Sequence, residues 1–287
     1  MFHFIHRLQV LKSVCSRFVQ VRSIGSRFEK MSGDIKAVLI DLSGTLHVES
    51  DPTPGAVDAL KRLRQQKDIK VKFVTNTTKE SKAVLMRRLL KIGFDVSEED
   101  VFTSLSAARQ LVDAQNLRPY LLVDEKAMED FEGVPQEDPN SVVVGLAPDR
   151  MNYEDLNTAM RLLQSGASLI AIHKAKYYRR SDGLALGPGP FVCALEFATG
   201  VSAHVVGKPS ENFFLSAIAG LDCRPEECVM IGDDVSDDIH GAQTIGMKGI
   251  LVKTGKYRDG DQDKISPPPH RVCADFAHAV EEVLSGL

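Results

Sequence analysis

The sequence predicts an α/β fold, a doubly wound parallel sheet with a second α/β block inserted into it as a cap. Three observations lead there. From Ile35 onward, short apolar runs alternate with stretches whose apolar residues repeat at helical spacing. The first of them, Ala37–Ile40, carries no polar alternate, as expected of a strand buried on both faces of a parallel sheet. A second strand–helix block then interrupts the first, whose strands resume after it.

Residues 1–30 stand apart from that pattern. Arg7, Lys12, Arg17, Arg22, Arg27 and Lys30 face a single acid, Glu29, and are interleaved with Phe4, Ile5, Leu8, Leu11 and Phe18. A basic, Ser-containing, acid-poor amphipathic stretch has the character of a mitochondrial transit peptide. A disordered extension is the alternative, with Met31 as a second candidate start. The expectation is an intracellular protein, mitochondrial if this segment acts as an address and cytoplasmic otherwise. Five scattered cysteines suit reduced thiols in such a compartment. A net charge of −4 offers no field for nucleic acid or a membrane surface. No apolar run approaches the roughly 20 residues that cross a bilayer.

The core, assigned to 31–106 and 206–287, opens with Ala37–Ile40, four apolar residues that end at Asp41. Ser43-Gly44-Thr45 follows, a polar turn in which glycine lets the backbone approach a ligand. Pro52, Pro54 and Gly55 open a helix to about Lys67, with Val57, Leu60 and Leu63 at helical spacing. The strand Val71–Val74 ends in Thr75-Asn76-Thr77-Thr78, and the helix Lys79–Ile92 stops at Gly93. Val101–Thr103 is a third strand, after which Ser106 caps a helix to about Ala114. The cap, 107–205, contains strands at Tyr120–Val123, Val142–Val144 and Ser168–Ile172 and a helix at Tyr153–Gln164. Gly187-Pro-Gly-Pro190 opens another helix, through Phe197. The first sheet is expected to resume at Ala203–Val206 and to continue with Cys228–Ile231 and Gly249–Val252. A helix from Asp275 to Leu284 closes the chain.

Ligands of open α/β sheets lie outside the carboxyl ends of the strands. Four polar groups fall there. They are Asp41 with Ser43, Thr75-Asn76, Lys208 in Gly207-Lys-Pro209, and the run Gly232-Asp-Asp-Val-Ser-Asp-Asp238. A carboxylate nucleophile, a hydroxyl or amide donor, a fixed lysine and a second acidic cluster suit phosphoryl transfer. Asp41 and Asp233 offer the oxygen ligands that Mg²⁺ prefers. Lys208 and Thr75 can neutralise and orient phosphoryl oxygens. Attack by Asp41 would give an aspartyl-phosphate.

In order, these segments resemble the four motifs of the haloacid dehalogenase superfamily, and the insertion resembles its C2-type cap. Phe73–Ser81, Asp182–Pro190 and Thr254-Gly-Lys-Tyr257 carry a narrower resemblance within that branch. The resemblance runs from about Ile35 to the C-terminus. It implies a Rossmann-like core and a Mg²⁺-dependent phosphohydrolase acting on a small phosphorylated substrate or phospho-amino acid, with a homodimer through the cap as a candidate assembly. Asp41 would be nucleophile and metal ligand, joined by the Ser43 carbonyl and Asp233. Phosphate would meet Asp41, Leu42, Ser43, Thr75, Asn76, Thr77 and Lys208. Asp234, Asp237 and Asp238 would back the ligands, one of them instead capping the following helix. In the basic cap run 173–180, His173 and Lys174 are the candidate specificity residues. Gly187–Pro190 is read as turn chemistry rather than an anion cradle, and His47 and His204 as structural.

Ser43 departs from the pattern. Hydrolytic members of the superfamily normally carry a second aspartate there, as acid for the leaving group and base for water. A serine hydroxyl cannot do that work, and losing such a group costs about 10²–10⁴ in rate. Ser43 therefore points to a substrate with a good leaving group, such as a phosphoramidate or pyrophosphate, or to weak activity. The rival readings are a phospho-ligand binding protein without turnover and a phosphotransferase.

Overall fold

The computed structural model describes residues 35–180 and 183–287. The transit-peptide expectation for residues 1–30 lies outside them. In chain order, strand β1 (Ala37–Ile40) is followed by a short hairpin, β2 (His47–Val48) and β3 (Asp51–Pro52). Helix α1 (Ala56–Arg64), β4 (Lys70–Thr75), α2 (Lys82–Ile92), β5 (Val101–Thr103) and α3 (Ser104–Ala114) come next. The inserted block holds β6 (Pro119–Leu122), β7 (Ser141–Val144), α4 (Tyr153–Gln164) and β8 (Ser168–Ala171). It continues with the hairpin β9 (Tyr177–Arg180) and β10 (Gly183–Leu186), then α5 (Gly189–Thr199) and β11 (His204–Val205). The chain then runs through α6 (Glu211–Ile218), β12 (Cys228–Gly232), α7 (Gly241–Thr244), β13 (Lys248–Val252), β14 (Arg271–Cys273) and α8 (Phe276–Leu284).

β1 has no polar side chain to show to water, and it lies in the middle of a six-stranded sheet of order β14-β13-β12-β1-β4-β5. Every pairing in that sheet is parallel. Its residues divide between two apolar clusters, as the twofold alternation of a strand requires. Ala37 and Leu39 pack with Leu105 and Ala108 of α3 and Phe213 and Phe214 of α6. Val38 and Ile40 pack with Leu60 and Leu63 of α1, Leu89 of α2 and Phe276 of α8. Helices on both faces make the sheet doubly wound. Each fully buried aliphatic side chain here contributes about 1.5–3 kcal/mol, and Leu39→Ala would cost about 2–5 kcal/mol.

The second sheet is four-stranded, order β11-β8-β7-β6, and also parallel. Val142, Val144, Leu169 and Ala171 pack against Ala159 and Leu163 of α4 and Val192 and Leu195 of α5. Val143, Ile170 and Ile172 join the cluster of α3 and α6. The cap sheet and one face of the core sheet thus share a single apolar layer. No helix among the described residues is long and apolar enough to cross a membrane.

Two local expectations are corrected. The Ala203–Val206 run does not rejoin the first sheet, because β11 pairs with β8 of the cap, His204 opposite Ile170. An apolar run specifies a strand but not its partner. The cap of α3 is Thr103 rather than Ser106, with the Ser106 N–H donating to Thr103 Oγ1 at 2.9 Å. Both hydroxyls suit a helix N-terminus, and the one in extended backbone takes the role.

Candidate active site

Parallel register brings the polar strand ends together. Ile40 lies opposite Ile231 of β12 and Phe73 of β4, so the residues after these strands emerge side by side. The chain order reverses at β1, which makes its carboxyl end the crevice of the sheet. Asp41, Asp233 and Asp238 each place a carboxylate oxygen within 4.8 Å of the others, and all three are buried. Lys208, 3% exposed, reaches the same point from the cap–core connection. Its Nζ donates to Asp41 Oδ1 at 2.5 Å, Asp238 Oδ1 at 2.6 Å and the Val74 carbonyl at 3.1 Å.

Three acids around one ammonium leave negative charge in excess, and the titration behaviour follows. Burial, then the neighbouring Asp41 charge, pushes Asp233 up to about 7. Burial raises Asp238 well above the carboxylate range despite Lys208 beside it. Burial also opposes the Lys208 charge, but Asp238 and Asp41 overcome it and raise that ammonium's pKa. Burial and Asp234 push Asp237 up to about 6. Buried, oxygen-only, over-negative donors fit a hard divalent cation, which would relieve the excess.

The glycines show how tightly Asp233 is held. A Cβ on Gly44, where φ is +98°, would lie 2.1 Å from Asp233 Oδ2, and one on Gly255 would also lie 2.1 Å from it. Both positions exclude any side chain.

The expected site residues divide by role. Ser43 is exposed at the start of the turn after β1, bridged to His47. Leu42 buries its side chain in the core, so only its backbone can face a ligand. Thr75 is buried at the end of β4, and the Thr77 carbonyl accepts from Ser104 Oγ at 2.9 Å. Asn76 uses its side chain otherwise. Its Nδ2 donates to the Lys208 carbonyl and its Oδ1 accepts the Lys208 N–H, both at 2.9 Å. It is a clamp on the backbone of the lysine. Asp234 caps the helical turn Val235–His240, accepting from the N–H groups of Ser236 and Asp237. Asp238, expected only to back the ligands, stands in the carboxylate cluster itself.

In the cap, His173 is buried after β8 and accepts the Ala175 N–H on Nδ1 at 3.2 Å. That assigns its ring proton to Nε2. Burial, then the charges of Lys256 and Lys208, lowers its pKa to about 4, so it is neutral. Lys174 turns away from the site and pairs with Glu196 at 2.7 Å. The N–H groups of Gly187 and Gly189 donate to Lys176 and Ala175 carbonyls, so this turn packs on backbone and cradles no anion. His47 is buried and His204 is exposed on β11.

Sequence reasoning gave no role to Thr254-Gly255-Lys256, where the Lys256 N–H donates to Asp233 Oδ2 at 2.7 Å. The available signals were the resemblance carried by Thr254-Gly-Lys-Tyr257 and its place just after a strand end. A hollow of about 360 Å³ lined by Lys72, Lys82, Arg109 and Asp130 shares no residue with this cluster.

A family model described as haloacid dehalogenase-like hydrolase matches residues 38–135, and a HAD-hydrolase-like model matches residues 205–279. Haloacid dehalogenase-like hydrolase domain-containing protein 2 of Rattus norvegicus is 61% identical over 253 residues, covering 88% of this chain and 97% of that protein. Phospholysine phosphohistidine inorganic pyrophosphate phosphatase of Xenopus laevis is 38% identical over 258 residues, covering 88% and 95%. Among solved structures, a glycerol phosphate phosphatase from Mycobacterium tuberculosis in complex with magnesium superposes with a TM-score of 0.75 at 29% identity. That match covers 86% of this chain and 77% of that one.

Proposed function

The chain belongs to the haloacid dehalogenase-like hydrolases, and from that premise we propose that it is a phosphohydrolase working through an aspartyl-phosphate on Asp41. The observation that carries the reading is the contact of Lys208 Nζ with Asp41 Oδ1 at 2.5 Å in a buried, carboxylate-lined crevice. A carboxylate so held is oriented for in-line attack on phosphorus, and the same ammonium can neutralise phosphoryl oxygens. The bond from Asp41 to phosphorus forms as the leaving group departs with its electron pair. Water then cleaves the acyl phosphate and regenerates the carboxylate. Asp41, Asp233 and the Ser43 carbonyl, with Asp238 beside them, are the groups that would hold Mg²⁺, whose part is to neutralise phosphoryl charge.

Ser43 shapes the substrate preference. With no acid at that position, the leaving group must depart without protonation from the enzyme. A pyrophosphate or an N-protonated phosphoramidate can do so, and an alkyl phosphate does so poorly. The 38%-identical relative bears the name of such substrates. Ser43 also sustains a second reading, a binding protein for phosphorylated ligands that does not turn over.

Hydrolysis of an aryl phosphate and of pyrophosphate, with and without Mg²⁺, separates the two. Turnover that Asp41→Asn abolishes, with a hydroxylamine-labile phosphoenzyme, is the expected result. Ser43→Asp should then raise turnover by about 10–10³, most on alkyl phosphates. Phosphate binding with no phosphoenzyme and no gain in Ser43→Asp would leave the binding protein.

A further inference from the structure

The turn Thr254–Lys256 belongs to none of the four motif segments, yet its contacts converge on one carboxylate. It leaves β13 and passes over the end of β12. Gly255 has φ +53°, and a Cβ there would lie 2.4 Å from Gly44 Cα as well as 2.1 Å from Asp233 Oδ2. That oxygen is therefore packed between the backbones of two glycines on opposite loops. It also accepts the Lys256 N–H at 2.7 Å. Thr254 Oγ1 donates to the carbonyl of Gly44, the residue after Ser43. At the far end, Lys256 Nζ lies 3.2 Å from Asp234 Oδ2, so the turn touches the loops after β1 and β12 together.

We propose that Thr254–Lys256 is a positioning segment that sets the cation affinity of the site by fixing Asp233 and the Gly44 loop against each other. The inference rests on the reading that Asp41 and Asp233 hold a divalent cation. With Oδ2 bonded to the Lys256 N–H, the Asp233 carboxylate has one rotation open to it and offers its other oxygen. Thr254 fixes the peptide chain that follows the Ser43 carbonyl, so two of the expected ligands are aligned by one turn. Partners that orient metal ligands in this way are typically worth about 10–100-fold in affinity.

The test is Mn²⁺ binding to the metal-free full-length protein, followed by the spin-resonance signal of the free ion. Wild type, Thr254→Val, Thr254→Ser and Asp233→Asn are compared, with turnover of an aryl phosphate at rising Mg²⁺ as a second readout. Thr254→Val keeps the shape and removes the donor, and is expected to bind Mn²⁺ about tenfold more weakly. Its kcat should return to within about twofold of wild type at saturating Mg²⁺, a rescue that a merely structural defect would not show. Thr254→Ser restores the hydroxyl and should bind as wild type does. Wild-type Mn²⁺ affinity in Thr254→Val, or an equal loss in Thr254→Ser, overturns the inference. If Asp233→Asn loses Mn²⁺ while Thr254→Val does not, the positioning role alone fails. If Asp233→Asn binds Mn²⁺ as wild type does, the cation reading fails with it.

Discussion

Replacing Lys208 by methionine keeps most of the aliphatic length and removes one charge from a place where two buried carboxylates depend on it. The ammonium lies 2.5 Å from Asp41 Oδ1 and 2.6 Å from Asp238 Oδ1. At an effective dielectric constant of about 20, each contact is worth roughly 6–7 kcal/mol before desolvation. Several kcal/mol per buried ion offsets most of that, and removing one partner of a buried pair costs about 3–5 kcal/mol net. At about 2–4 °C per kcal/mol for a chain of this size, the metal-free variant should melt about 6–20 °C below wild type at pH 8. The loss should depend on pH in a definite sense. Burial already raises Asp238 and Asp233 above the carboxylate range, and without the ammonium they rise further. The folded variant then binds protons that the unfolded chain has released, so its stability falls as pH rises from about 5 to 8. The deficit relative to wild type should therefore shrink toward pH 5. Thermal and urea unfolding of both proteins at pH 5 and pH 8 measures it. A deficit below about 1 kcal/mol at pH 8, or one unchanged at pH 5, would refute the claim that Lys208 holds these carboxylates.

The wild-type protein should show a weaker form of the same slope. Asp233 is held up to about 7, so in metal-free protein its contribution is fully present only below about pH 4 and is lost as pH rises toward 7. Added Mg²⁺ should flatten or reverse that decline, which melting curves at pH 5 and pH 7.5 with and without the ion will show. Asn76→Ala removes both bonds of the clamp on the Lys208 backbone. It should cost about 1–3 kcal/mol in urea unfolding and raise KM for phosphate substrates more than it lowers kcat. Unchanged KM would confine Asn76 to a structural part.

The residues of β1, the Asp41-Leu-Ser-Gly-Thr45 turn, Lys208 and the acidic run after β12 were legible because each announces itself locally. An apolar strand with no polar alternate must be buried, and a carboxylate at its end must face a crevice. Motif order supplied the family and the absence of an acid at position 43. Pairings between distant segments were not legible, because neither periodicity nor composition encodes them. Asn76 reaches Lys208 across 132 positions and Lys208 reaches Asp41 across 167. β11 read correctly as a strand and incorrectly as a core strand, since alternation specifies burial and not the neighbour. In the acidic run, four aspartates within six positions have the same chemistry. Only the turn Val235–His240 decides that Asp234 caps it while Asp238 points back to Lys208. Lys174, expected to help set specificity in the cap, is turned by packing toward Glu196, while Lys256, given no role, lays its backbone N–H against Asp233. Local pattern fixes which groups must leave water. Which groups then meet is a property of how strands stack and loops close, and those contacts form between residues far apart in the chain.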